Sequence, residues 1–264
     1  GDDRALAQGS MGIASGDLDA DGDIDFYVTN FQNEYNTYHQ QSSAGIWQDA
    51  TSQSQLLAAT MPLVGFGSEA VDLDSDGTLE LLVTNGHVDI FSRGEERSAY
   101  AQPMQLFRRN RAGVYDSIGQ ALDGEYLSTP HVGRALWTID ANRDGRTDIA
   151  VSHQTEPVAL LVNRSADPGR WLEIKLAGRS CSRDAVGAIV QVTSGRHSWT
   201  AALTAGDGYL CSNERLLRFG LGRDAADCDV TVVWPDGSRQ IHPGLQPQTQ
   251  WLLVQGDAIP FATP

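Results

Sequence analysis

The sequence predicts an all-β protein built largely from a repeated strand–loop–strand unit, and three observations carry that reading. One Asp-rich nonapeptide pattern recurs at residues 17–25, 72–80 and 140–148, with starts 55 and 68 residues apart. Each copy runs into a β-branched, aromatic or Leu-rich stretch, at residues 24–29, 79–84 and 149–152. No long stretch carries the 3.6-residue apolar period of an amphipathic helix.

Each unit justifies itself in order. A small residue stands five positions before every first Asp: Gly12, Gly67 and Ala135. Weaker strand candidates follow the loops, at 36–40 and 45–51, at 105–109 and 113–118, and at 158–163. About four short strands per unit is the build of a β-propeller blade. Residues 1–164 are therefore expected to form three consecutive four-stranded antiparallel blades. Segments 56–59 and 92–100 read as connecting loops or single helical turns. After Asn163 the texture changes. Residues 165–170 read as a linker, and no Asp-rich loop recurs beyond it. Strand candidates lie at 171–176, 187–193, 198–204, 215–219, 229–234 and 251–254, with a hairpin turn at 235–238. Residues 165–264 are expected to form a second, small, sandwich-like β domain.

The nonapeptide has a definite chemistry. Ca²⁺ is a hard cation that takes six to eight oxygen ligands at about 2.3–2.6 Å. A D-x-D-x-D-G-x-x-D loop aims side chains 1, 3 and 5 at one point. Gly at position 6 permits the sharp turn, carbonyl 7 adds a neutral oxygen, and carboxylate 9 closes the shell. The expected side-chain ligands are Asp17, Asp19, Asp21 and Asp25, then Asp72, Asp74, Asp76 and Glu80, then Asp140, Asn142, Asp144 and Asp148. The carbonyls would come from Asp23, Thr78 and Arg146. An EF-hand opens the same way but needs Glu at position 12, where this chain has Val28, Val83 and Val151. Solvated Asp-Gly turns are the plain alternative, and three loops in register argue against it. The third loop is the weakest, since Arg143 and Arg146 bring positive charge and Asn142 is neutral.

Composition agrees. The net charge is −15, and twelve of the 34 acidic residues fall within the three nonapeptides. Three divalent ions would bring the charge to about −9. A surplus of carboxylates argues against nucleic acid and anionic membranes as partners. No apolar run approaches the roughly 18 residues of a membrane-spanning helix. The chain opens without a signal peptide.

Other candidate chemistry is thinner. His87, His131 and His153 each stand next to a repeat strand, where a shared metal or acid–base site is one reading and loop histidines bonded to backbone the plainer one. Glu69 and Asp89 flank the same region. Trp137, Trp171, Trp234 and Trp251 fall in strand patterns and read as core, while Trp47 and Trp199 read as candidates for an exposed binding face. Arg183, Asp184 and Asp207 read as turn and ion-pair residues. Cys181, Cys211 and Cys228 match no metal spacing, and their pairing is open.

Two resemblances arise from these motifs. The Asp-rich units resemble FG-GAP/VCBS propeller repeats, the class that includes the integrin α-subunit propeller. The ordered stretches 183–188, 206–210, 217–222 and 233–237 resemble the ASPIC/UnbV domain. Together they are similar to bacterial relatives of cartilage acidic protein. That resemblance implies a calcium-stabilised propeller of about seven blades in a secreted, periplasmic or cell-surface protein. Three units cannot close such a ring, so further blades are expected from an N-terminal part of the same product or from another chain. The function expected is a secreted binding module for a protein, glycan or small molecule. The alternative is a secondary-metabolism enzyme, cytoplasmic in that case, using the propeller axis or interdomain groove as its pocket. No catalytic residues are implied.

Overall fold

A computed structural model describes residues 7–88, 100–119, 124–166 and 168–263. Over these residues the chain is all-β, with five small sheets in a propeller-like arrangement and two helices of a turn or so. The first sheet is the meander β1 (Ile13–Gly16), β2 (Asp25–Val28), β3 (Thr37–Ser43) and β4 (Ile46–Asp49). Helix α1 (Leu56–Thr60) leads to the second, β5 (Gly65–Val71), β6 (Glu80–Asn85), β7 (Gln105–Arg109) and β8 (Tyr115–Ser117). Helix α2 (Glu125–Ser128) precedes the third, β9 (Gly133–Ile139), β10 (Asp148–His153) and β11 (Ala159–Leu161).

The third sheet was expected to have four strands and has three among the described residues. Beyond β11, Asn163 is tied back to the loops: its side-chain amide donates to the Leu73 and Thr147 carbonyls at 2.7 and 3.1 Å. The chain then enters a different sheet. Segment 92–100 lies outside the described residues save Tyr100.

The small residue before each loop has a packing reason. A Cβ on Gly12 would lie 2.1 Å from the Phe66 carbonyl oxygen of the next sheet, and one on Gly67 would lie 2.6 Å from that of Arg134. The inner strands approach this closely because a threonine staples them. Thr29 Oγ1 donates to the Phe66 carbonyl at 2.7 Å, and Thr84 Oγ1 to that of Arg134 at 2.9 Å. The middle sheet is therefore covered on both sides. Leu81 and Val83 of β6 join the core shared with Tyr27 and Tyr38, while Leu82 joins that of Leu136 and Val151. A strand buried on both faces reads as an unbroken apolar run, as β6 does. Each such side chain contributes about 1.5–3 kcal/mol.

The last two sheets are not meanders. Strands β12 (Arg170–Ala177), β15 (Leu217–Gly222), β18 (Thr249–Val254) and β19 (Phe261–Thr263) form one, in the order β15-β12-β18-β19 with β12 and β18 parallel. Strands β13 (Ile189–Ser194), β14 (His197–Ala202), β16 (Cys228–Val233) and β17 (Arg239–Leu245) form the other. Both contribute to a single core, with Leu172, Ile174 and Phe219 from one and Val190, Val192 and Val232 from the other. Strand β17 was missed from sequence because its side chains are mostly exposed and Pro243 and Gly244 interrupt it.

Candidate metal centre

The three acidic loops repeat one hydrogen-bond network. Position 1 holds the turn: Asp17, Asp72 and Asp140 accept at Oδ1 from the position-5 N–H at 3.0, 3.1 and 3.1 Å. Their Oδ2 atoms accept from the glycine N–H at 3.0, 2.7 and 3.0 Å. The position-5 aspartates Asp21, Asp76 and Asp144 accept from the N–H of Asp23, Thr78 and Arg146. The position-9 carboxylates Asp25, Glu80 and Asp148 are fully buried and accept from the N–H of Leu18, Leu73 and Ala141. Two left-handed residues complete each turn, at position 4 (Ala20, Ser75, Arg143) and at the position-6 glycine. The glycine there is required, since a side chain resists φ of +81° to +96°.

The loops differ in what balances the charge. Asp17, Asp19 and Asp21 bring ligand oxygens within 4.8 Å of one another, as do Asp72, Asp74 and Glu80. In the first loop, burial pushes the Asp17 carboxyl up to about 6, with Asp21 and Asp19 adding to it, and burial also raises Asp25 to about 6. Gln40 of β3 donates to Asp19. Burial pushes Asp72 up to about 8 and Glu80 up to about 7. In that second loop Arg108 of β7 takes the place of Gln40, with Nη2 on Asp74 and Nε on Glu80, both at 2.8 Å. In the third loop Asp144 is balanced from within the loop, while Asp140 has Arg218 of a later strand at 3.6 Å. Arg146 and the Asn142 amide both bond Asp144 Oδ2, and Arg146 holds that carboxyl below its ordinary range.

Carboxylates gathered in this way, with the position-9 group of each loop buried, fit a hard divalent cation. The first loop fits best, the second with Arg108 already on two of its oxygens, and the third least. In the first and third loops the buried carboxylate fastens the following chain as well, since Asp25 and Asp148 also accept from the Gln41 and Asn163 N–H at 2.8 Å.

The C-terminal sheets sit directly on these loops. Trp199 of β14 lies over Gly77, and Trp171 of β12 lies over Gly145: a Cβ on either glycine would meet the indole nitrogen at 2.4 and 2.6 Å. Both tryptophans are half-buried and line the cavity between the inner strands and the C-terminal sheets: Trp171 is not the fully buried core residue expected, and Trp199 is not fully exposed but packs in part against the C-terminal core. Trp234 is core as expected, at 2% exposure, and Trp47 is exposed at 38%. The Gly222 N–H donates to the Ser75 carbonyl at 2.9 Å and the Gly169 N–H to that of Asp74 at 2.8 Å. Arg218 of β15 donates to the Gly145 carbonyl, bonds Glu173 and lies 3.6 Å from Asp140.

Between the inner strands and the C-terminal sheets lies a cavity of about 880 Å³. Glu69, on β5 and 4% exposed, points its Oε2 at the Asn213 amide at 3.0 Å. Asn213 is fixed by accepting the Thr138 N–H at 2.9 Å, and it also reaches Asp207, which Thr204 holds. Burial, with Asp207 nearby, holds Glu69 well above the usual carboxylate range. Asp207 thus belongs to this hydrogen-bonded row, of which Glu69 is the buried member, and is more than a turn residue. Sequence could not place Asn213, which stands 144 residues from its partner.

Of the three histidines, His131 and His153 meet, with ring centroids 5.3 Å apart, while His87 bonds Gln32 elsewhere. Glu69 pairs with Asn213 and not with a histidine, and Asp89 lies outside the described residues. All three cysteines are free thiols.

Comparisons with known proteins match two separate stretches of the chain. The FG-GAP-like repeat model matches residues 9–83, and the ASPIC and UnbV model matches residues 178–260. Cartilage acidic protein 1 of Mus musculus is 28% identical over 236 residues, covering 87% of this chain and 34% of the relative. That of Homo sapiens is 28% identical over 248 residues, covering 90% and 35%, and that of Xenopus tropicalis 26% over 240 residues, covering 87% and 34%. The chain spans about a third of the length of the curated relatives it matches. By its two matched regions and this shared similarity, the chain is a homologue of cartilage acidic protein 1 that joins FG-GAP-like repeats to an ASPIC/UnbV region.

Proposed function

We propose that the chain is a calcium-stabilised interaction module of a secreted, periplasmic or cell-surface protein. The observation that carries this is the repeated loop network, which brings carboxylate oxygens within 4.8 Å of one another in two of the three loops, with Asp17, Asp72 and Glu80 pushed up by burial. One Ca²⁺ is assigned to each loop. The ligands are Asp17, Asp19, Asp21, Asp25 and the Asp23 carbonyl; Asp72, Asp74, Asp76, Glu80 and the Thr78 carbonyl; and Asp140, Asn142, Asp144, Asp148 and the Arg146 carbonyl. The inner-strand cavity offers the binding surface for a protein, glycan or small-molecule partner.

The first three sheets are read as consecutive blades of a larger propeller and the last two as a sandwich-like domain. Exposed apolar side chains on the outer sheets support further blades: Ile46 at 57% on one, Val158 at 61% and Leu160 at 50% on the other. An additional blade from the same gene product or another chain would cover them.

Calcium-edge anomalous diffraction, with equilibrium dialysis for stoichiometry, tests the assignment. Three bound ions at the loops are expected, filling in the order first, second, third. Anomalous density absent from all three loops would end the reading.

A further inference from the structure

A second cluster has donors of another kind. Helix α2 supplies Tyr126, the approach to β9 supplies His131, the end of β10 supplies His153, and the turn after it supplies Glu156. His131, His153 and Glu156 offer ligand atoms that all lie within 4.8 Å of one another.

The hydrogen bonds set the tautomers. His153 Nδ1 lies 2.7 Å from the Pro157 carbonyl oxygen, which can only accept, so Nδ1 carries the proton and Nε2 presents its lone pair. Tyr126 donates its hydroxyl to that Nε2 at 2.7 Å. His131 Nδ1 lies 2.7 Å from Glu156 Oε2, while its Nε2 is buried and without a hydrogen-bond partner among the described residues. The Tyr126 ring stacks on His131 at 4.2 Å and 14° and fixes its plane. The Pro157 carbonyl on His153 Nδ1 is the outer-shell contact that orients a metal-binding histidine, while Glu156 exchanges its bond to His131 for the ion and serves as the third ligand.

From this geometry we propose that His131, His153 and Glu156 form a site for a divalent transition metal of the Zn²⁺ class. With Zn–N bonds of about 2.0–2.1 Å in a tetrahedral shell, two bound ligand atoms stand about 3.3–3.4 Å apart. Ligand atoms that now lie within 4.8 Å of one another then close by at most about 1.5 Å, through side-chain torsions. Tyr126 gives up its bond to His153 as the ion takes the lone pair. Two imidazoles and one carboxylate select a borderline cation, whereas the all-oxygen loops select a hard one. The two kinds of site do not compete. Three protein ligands leave a fourth position for water or a ligand group.

The test uses the full chain saturated with Ca²⁺, titrated with Zn²⁺ by calorimetry and with Co²⁺ by visible absorption. One Zn²⁺ per chain is expected, with a tetrahedral-type cobalt spectrum. His153→Ala should weaken Zn²⁺ at least tenfold, and the His131→Ala/His153→Ala pair should abolish both signals while calcium still raises the melting temperature. Glu156→Gln, which keeps the volume, should weaken Zn²⁺ at least tenfold and serves where the alanine variants fold poorly. No uptake by the wild type, or an unchanged affinity and spectrum in the variants, would overturn the proposal and assign any zinc to the thiols or the acidic loops.

Discussion

Gly220→Ala is a one-methyl perturbation of the seam between the acidic loops and the C-terminal sheets. A Cβ at that position would stand 1.8 Å from Asp72 Oδ2 and 2.6 Å from the Ser75 Cα. Carbon atoms in contact prefer about 3.5–4.0 Å, so roughly 1 Å of movement is demanded of loop backbone. The loop cannot yield freely there, because Ser75 is held at a φ of 56° and Asp72 holds both the Asp76 and Gly77 N–H groups. Overpacking of this kind costs about 1–3 kcal/mol. Displacing the strand also loosens the Gly222-to-Ser75 and Gly169-to-Asp74 hydrogen bonds, about 1 kcal/mol each. The sum, about 3–5 kcal/mol, is a large part of the 5–15 kcal/mol that holds a typical domain. At about 2–4 °C per kcal/mol for a chain of this size, the melting temperature should fall by roughly 6–20 °C. Calcium affinity at the second loop should fall with it, since Asp72 must move. Circular dichroism melts in calcium and in chelator, with calcium stoichiometry by dialysis, measure both. A variant that melts like the wild type and keeps every calcium would show that the loop and the C-terminal sheets are not energetically joined.

Three further outcomes follow from the same contacts. Chelation should destabilise the protein, by about 2.7 kcal/mol per site at a calcium concentration 100 times the dissociation constant. The loss should deepen as pH rises from 5 to 8: Asp17, Asp25, Glu80 and Asp72 are raised to about 6, 6, 7 and 8, so the metal-free fold disfavours their ionised forms more than the unfolded chain does. Melting curves in chelator across that range check the sign. Arg108→Ala should lower the melting temperature in chelator more than in calcium, because the guanidinium balances Asp74 and Glu80 only where no ion does so. Glu69→Gln should be neutral at pH 5 and stabilising at pH 8, since burial raises this carboxyl and its ionisation is penalised as pH climbs. An equal pH slope in the variant and the wild type, again by melting, would contradict it.

What the sequence made legible was local. The loop network lives within nine residues, and its Asp, Gly and strand grammar could be read directly, as could β6 and β10. The small residues at positions 12 and 67 were visible as a recurrence, but their reason was not, because the Phe66 and Arg134 carbonyls they admit belong to the next sheet. Long-range partners were invisible for the same reason. Nothing in a linear pattern distinguishes Trp171 as core from Trp171 laid over Gly145, since both want an apolar, strand-forming residue. Glu69, Asn213 and Asp207 share no spacing that periodicity could detect, and β19 is too short to carry a pattern.

These long-range contacts change what the acidic loops are for. A loop that only rigidified its own blade would need no partner beyond the following strand. Here the position-1 carboxylate of the second loop lies against the β15 backbone, the glycines of two loops lie under tryptophans from β12 and β14, and Arg218 reaches from β15 to the third. Any ion drawn to these carboxylates therefore acts on the seam as well as on the turn. The seam is also one wall of the cavity that holds Glu69 and Asp207. On the function proposed, calcium occupancy and the shape of that cavity would be linked through the same few residues, Asp72, Gly220 and Arg218. Binding at one should register at the other as a reciprocal change in affinity.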